Sequence, residues 1–180
     1  MNRLFAFLLQ PPGGSGRSIL ILRLMAGGVF FWEGLLKLVY TNQGVGRFTK
    51  LGIPYPDVTA ILIAVLEIVG GLLLISGLAT RLIAIPFILE MLVAILSTKI
   101  SLFLGTSPLP LPPAPPKVGL WAVLHEIRSD YAQIATSAFL LINGPGRWSM
   151  DAWLMRPRQA GAVQLASQSK PFDLPSVAAD

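Results

Sequence analysis

The stretch from Val58 to Leu104, VTAILIAVLEIVGGLLLISGLATRLIAIPFILEMLVAILSTKISLFL, decides the fold. Two apolar runs flank the short sequence Gly77-Leu78-Ala79-Thr80-Arg81. Each run meets the roughly 20 apolar residues that a helix needs to cross a hydrocarbon core about 30 Å thick. The spacing therefore predicts a transmembrane helical hairpin. One acid lies deep in each arm: Glu67 is eleven residues before Leu78, and Glu90 is eleven after Ala79. At about 1.5 Å of rise per residue, both carboxyls lie roughly 17 Å from the turn, near the middle of the bilayer. A central acid costs roughly 2.5–3.5 kcal/mol to insert, so such a residue is first read as functional.

The whole chain agrees with the hairpin. Its 180 residues are 53% hydrophobic and only 13% charged, with mean hydropathy +0.66, which defines an integral membrane protein of one domain. A net charge of +5 would suggest nucleic-acid binding in a soluble protein. Here the basic residues are dispersed between apolar segments and read as topology signals, so no nucleic-acid partner is expected. The absence of cysteine excludes disulfides, thiolate-ligated clusters and thiol redox chemistry by this chain. His125 is the only histidine, so one subunit cannot build a two-histidine haem or a His-rich metal site. No metal is expected, and any redox cofactor must be organic or belong to a partner.

Working outward, a first span is predicted from about residue 18 to 40, a second from 58 to 78 with Asp57 as its N-cap, and a third from 81 to 104. The proline-rich run between Thr106 and Pro116 cannot be helical and should be extended. A fourth span, 121 to 143, carries His125, Glu126, Arg128 and Asp130 in one half and ends at Gly144-Pro145-Gly146. Trp148 and Trp153 suit an interfacial aromatic belt. The fold class expected is therefore all-α: an integral membrane four-helix transmembrane bundle over residues 18–154. Residues 1–17 are expected to form a cytoplasmic or interfacial segment without a cleavable signal, and residues 155–180 a disordered tail. With four crossings, Arg3, Arg17, Arg81, Arg147, Arg156, Arg158 and Lys170 share one side, against Arg47, Lys50 and Lys117. The positive-inside rule makes the first side, with both termini, cytoplasmic. The location expected is the cytoplasmic (inner) membrane.

Helical spacing puts small and polar residues together on each span. The stripes are Arg23, Gly27, Phe30, Gly34 and Lys37 on the first; Ala60, Ala64, Glu67 and Gly71 on the second; Pro86, Glu90, Ala94, Ser97 and Ser101 on the third; and Glu126, Asp130, Gln133, Ser137 and Gly144 on the fourth. Small residues let transmembrane backbones approach, and polar groups avoid lipid. A compact bundle with a polar interior follows.

Glu67 and Glu90 read as a proton-exchanging pair or a polar contact for a quinone-like head group, against the alternative of acids that merely hydrogen-bond a neighbouring helix. They are the catalytic candidates. Arg23 either snorkels to the near interface or counters Glu90. Glu33 and Lys37 form an i, i+4 pair in the favourable order, and Glu126 reaches a similar depth, so His125, Glu126 and Arg128 are candidates to join them in a polar cluster. The candidate cofactor-binding residues are thus Arg23, Glu33, Lys37, Glu67, Glu90 and Glu126.

Several ordered motifs carry a family resemblance. They are Arg23-Leu24 followed by Gly28, Phe30, Gly34 and Lys37-Leu38; Leu51-Gly52-Ile53-Pro54; Leu66-Glu67-Ile68-Val69-Gly70-Gly71; Gly77-Leu78-Ala79-Thr80-Arg81; Met91-Leu92-Val93-Ala94; and Gly144-Pro145-Gly146-Arg147-Trp148-Ser149-Met150-Asp151. Together they resemble the DoxX family of small membrane proteins, related to a subunit of thiosulfate:quinone oxidoreductase. The resemblance implies four transmembrane helices in the cytoplasmic membrane and association with redox enzymes, including quinone-linked ones. Many relatives have a histidine where this chain has Glu33, so a mechanism built on that histidine does not transfer.

Three functions follow as expectations. The first is a redox-associated membrane subunit that contacts a quinone, the one candidate cofactor, with electrons entering from a partner. The others are a proton-coupled carrier of a small solute and a scaffold recruiting soluble redox enzymes. Partners expected are the lipid bilayer, redox enzymes and a second copy of the chain.

Overall fold

The computed structural model describes residues 17–155. The interfacial segment expected before residue 17 and most of the disordered tail expected from 155 onward lie outside the described residues. Among the described residues α-helices follow one another as α1 (Ser18–Val39), α2 (Val45–Lys50), α3 (Pro56–Ser76), α4 (Thr80–Ala94), α5 (Leu120–Glu126) and α6 (Arg128–Asn143), and residues 150–155 are again helical. After α4 the helical path continues through a π-helical segment, Ile95–Lys99, and a 3-10 turn, Ile100–Leu102. The protein is an all-α integral membrane protein, and among the described residues three helices are long and apolar enough to cross a bilayer, Ser18–Val39, Pro56–Ser76 and Thr80–Leu102. Its outward faces are apolar, with Leu62 63% and Leu89 58% exposed, which suits lipid rather than water.

The expected boundaries shift for local reasons. Tyr55, at φ 50°, caps α3 and Pro56 occupies the first helical position, so Asp57 sits in the first turn and does not cap. The expected fourth helix breaks at Ile127 (φ −81°, ψ −5°) into pieces of 7 and 16 residues. There the Arg128 guanidinium donates to the carbonyl of His125, a group the continuous helix would have used itself. Neither piece alone has the length of the three apolar spans.

α1 and α3 approach as only small residues allow. A Cβ on Gly27 would lie 2.6 Å from the Gly71 carbonyl oxygen, and one on Gly34 would lie 2.7 Å from that of Ala64. Gly71→Val should therefore push the pair apart and cost about 1–3 kcal/mol, the usual range for overpacking. Gly28→Ala, with nothing within 4 Å of the new methyl, should leave the midpoint unchanged. Thermal unfolding in detergent compares the two.

α4 and α6 form a second antiparallel pair. Its register is set by Arg81 Nη2 donating to the Ile142 carbonyl (3.1 Å) at one end and, just beyond the other, by Lys99 of the π-helical segment against Glu126 of α5. The two pairs meet at Phe30 and Phe87, whose rings stack with centroids 3.6 Å apart. Ile19, Ala26, Leu74 and Leu140 complete that core. Gly70 makes the stack possible, because a Cβ there would lie 2.6 Å from Phe87 Cζ. The buried face of this span is therefore Ala84 and Phe87, continued by Thr98 and Leu102, one residue away from the expected stripe of Pro86, Ser97 and Ser101.

Candidate functional site

Three spans bring three charged groups together at the middle of the bundle. Lys37 lies near the end of α1, and its side chain leans back toward the helix N-terminus, as helical side chains do, into the interior. Its Nζ donates to Glu67 Oε1 on α3 at 2.7 Å and lies 2.7 Å from Oε2. The Glu67 side chain is 1% exposed, that of Lys37 15%. Across the hairpin the Glu90 carboxyl is the neighbour of the Glu67 carboxyl. No N–H or hydroxyl of another residue reaches Oε2 of Glu90. The Gly70–Phe87 contact confirms that the two acids sit level in the hairpin.

The structure separates the other candidates from this cluster. Glu33 is exposed and acts on the acids only through its charge; the i, i+4 pair with Lys37 does not form, because Lys37 turns inward to Glu67. Glu126 pairs instead with Lys99 (3.6 Å), and His125 is exposed, so neither joins Glu33 and Lys37. Lys99 was not singled out by the sequence; the π-helical segment that ends at it widens the turn and carries it toward Glu126.

Arg23 does not counter Glu90. It is 1% exposed and donates to four backbone carbonyls: Leu74 (2.9 Å), Ile75 (2.6 Å), Pro145 (3.0 Å) and Trp148 (2.7 Å). Arg23 thus ties the end of α3 to the segment after α6. The same end is closed by Asp151, whose Oδ1 accepts from the Ala79 N–H (3.0 Å) and whose own N–H donates to the Gly77 carbonyl (3.1 Å). Gly77 and Ala79 both have positive φ, 71° and 50°. The motifs Gly77–Arg81 and Gly144–Asp151 are therefore two halves of one latch, here called the turn end.

At the opposite, loop end lies a cavity of about 430 Å³ under the proline-rich segment Leu109–Pro113, lined by Asn42, Gln43, Arg47, Lys50, Lys99 and Glu126. A wider, open depression beside Trp121 and His125 shares no residue with the acid cluster. Among the described residues no group of three His, Asp or Glu side chains is placed to hold a metal ion.

Fold and cluster define a class: a small helical membrane protein with an apolar exterior, small-residue helix contacts and a lysine-paired carboxyl cluster inside. The chain belongs to the DoxX family, whose pattern matches residues 18–100. It is 39% identical over 145 residues to the protein named "Uncharacterized membrane protein Rv3486" of Mycobacterium tuberculosis, covering 77% of this chain and 82% of that one. It is 28% identical over 145 residues to "Putative oxidoreductase CatD" of Bacillus subtilis, covering 80% of this chain and 92% of the relative. No solved structure matches the chain.

Proposed function

We propose that this protein is a redox-associated subunit of a membrane oxidoreductase system, in which the Lys37–Glu67–Glu90 cluster meets the polar head of a quinone and exchanges protons with it. The observation that carries the reading is the buried cluster itself, a lysine paired with one of two neighbouring carboxyls inside a membrane bundle. Reduction of a quinone to a quinol takes up two protons with two electrons, and the cluster offers a donor to each stage of that uptake. Electrons come from a partner, since the chain has neither cysteine nor a second histidine. The name of the Bacillus subtilis relative, "Putative oxidoreductase CatD", supports the same assignment.

In this reading α5 and α6 together complete a fourth crossing, and the turn end faces the cytoplasm of a bacterial inner membrane. Lys99 and Arg128 belong to the loop end, which narrows the basic excess of the turn end to seven residues against five but keeps its sign. Glu67→Gln should keep the fold and lose co-purifying quinone. Solvent extraction of the detergent-purified protein, followed by chromatography, should find quinone with the native chain and several-fold less with the variant. Quinone-free native protein in repeated preparations would sink the proposal.

A further inference from the structure

Several buried polar atoms on the second helix pair have no hydrogen-bond partner in the protein. On one face of α6 they are Asp130 Oδ2, Gln133 Oε1 and Ser137 Oγ; on α4 they are Glu90 Oε2 and, at the turn end, Thr80 Oγ1. Gln133 is 5% exposed and Ser137 fully buried. Buried polar groups are almost always satisfied, and where no protein group does so, ordered water does. The α4–α6 register fixed by Lys99–Glu126 and Arg81–Ile142 puts Asp130 beside Ala94, Gln133 level with Glu90 and Met91, and Ser137 level with Phe87. Of these atoms, those of Asp130 and Gln133 descend from the loop-end cavity to the acids.

At its upper end Asp130 lies within the fields of Lys99 and Arg47, both of which line that cavity, and of Glu33. At its lower end, one turn past Glu90, the stacked rings of Phe30 and Phe87 fill the interior, with Leu74 and Leu140 beside them at zero exposure. Among the described residues the hydroxyl of Ser137 lies at the edge of that layer, and the buried hydroxyl of Thr80 lies on its turn-end side. The seal is made by the largest fully buried apolar side chains of the bundle, on the turn-end side of the acids.

We infer that the bundle contains a one-sided water path, a proton half-channel that runs from the loop-end cavity past Asp130 and Gln133 to Glu90 and Glu67 and is closed toward the turn end by the Phe30–Phe87 stack. The ligand of this path is water, and its cargo is the proton. Lys37 from α1, Glu67 from α3, Glu90 from α4 and Asp130 from α6 are the charged groups that face it, with Glu33, Arg47, Lys99 and Glu126 around its mouth. The inference deepens the proton-exchange part of the proposed function. It does not require a quinone, since it concerns where water reaches.

The chain's lack of cysteine makes the test direct. Single variants Gln133→Cys and Asp130→Cys of the full chain, reconstituted in vesicles, are exposed to a small anionic membrane-impermeant thiosulfonate, whose charge suits the basic mouth. Tyr55→Cys and Arg147→Cys, both exposed, report the loop and turn sides. Both path cysteines should be modified from the side that labels Tyr55→Cys, at least tenfold faster than from the side that labels Arg147→Cys. Ala84→Cys, beyond the stack, should resist from both. Two separate path positions guard against one variant failing to fold. Unreactive cysteines at both positions in monodisperse protein would overturn the inference, as would equal reaction from the two sides. Sided labelling in protein free of quinone would keep the path and reject only the quinone.

Discussion

Lys37→Met is expected to destabilise the protein by about 3–5 kcal/mol, the range seen when one partner of a buried ion pair is removed. The reason lies in what remains. Glu67 is 1% exposed, its neighbour across the hairpin is another carboxyl, and without Lys37 no cation is left to it. The reverse deletion should cost less. In Glu67→Gln the lysine still feels Glu90, and the new amide retains a carbonyl oxygen for the ammonium to donate to. The account therefore predicts an asymmetry, with Lys37→Met clearly worse than Glu67→Gln. Lys37→Met/Glu67→Leu should regain most of the loss, because a buried pair replaced by apolar groups is often neutral. Unfolding by denaturant titration in mixed micelles measures all three variants. Equal losses for the two single variants would show that Lys37 draws little from Glu67.

Arg23→Lys comes next in size, with an expected loss of about 3 kcal/mol, since hydrogen bonds to a charged donor contribute roughly 1.5–3 kcal/mol each and do not add fully. The guanidinium reaches carbonyls on two separate segments at once, from Nε, Nη1 and Nη2. An ammonium is a point charge on a shorter reach and cannot reproduce that planar fork. Gly77→Ala should weaken the same latch from the other side. Its φ of +71° disfavours any Cβ, and the added atom would sit 2.5 Å from Arg23 Cζ and from Ser149 Cβ. Both variants act at the turn end, away from Lys37 and Glu67. Folded protein recovered from either should bind quinone like the native chain, in contrast to Glu67→Gln. The same micelle titration, combined with quinone extraction, separates latch from site.

Much of this architecture was legible in residue order. The symmetric placing of Glu67 and Glu90 about Leu78-Ala79 is a one-dimensional fact that a hairpin turns into proximity. The stripes containing Gly27 and Gly34, and Ala64 and Gly71, are read from helical spacing alone. Choices between partners were not legible. Lys37 has an acid one turn away at Glu33 and another on a different helix at Glu67; local spacing favours the first, and the direction of a lysine side chain in a packed interior selects the second. Arg23 looked like a countercharge, because its true partners are backbone carbonyls, and a sequence does not display those. Its two most distant acceptors, Pro145 and Trp148, lie more than 120 residues away. The break at Ile127 and the π-helical segment at Ile95–Lys99 depend on which backbone groups find side-chain or neighbouring partners, again a tertiary property. The motifs Gly77–Arg81 and Gly144–Asp151 build the latch, while the lysine that completes the acid cluster lies outside the motif that holds Glu67.

In the proposed function a quinone head group reaches the Lys37–Glu67–Glu90 cluster inside the bundle. Photocrosslinking of the purified full chain with an azido-quinone, followed by peptide mass spectrometry, tests it most directly. The account predicts adducts on the α1 segment around Lys37 and the α4 segment around Met91, lost in Glu67→Gln and displaced by excess unlabelled quinone. Adducts confined to the surface depression beside Trp121 and His125, or unchanged by Glu67→Gln, would contradict it.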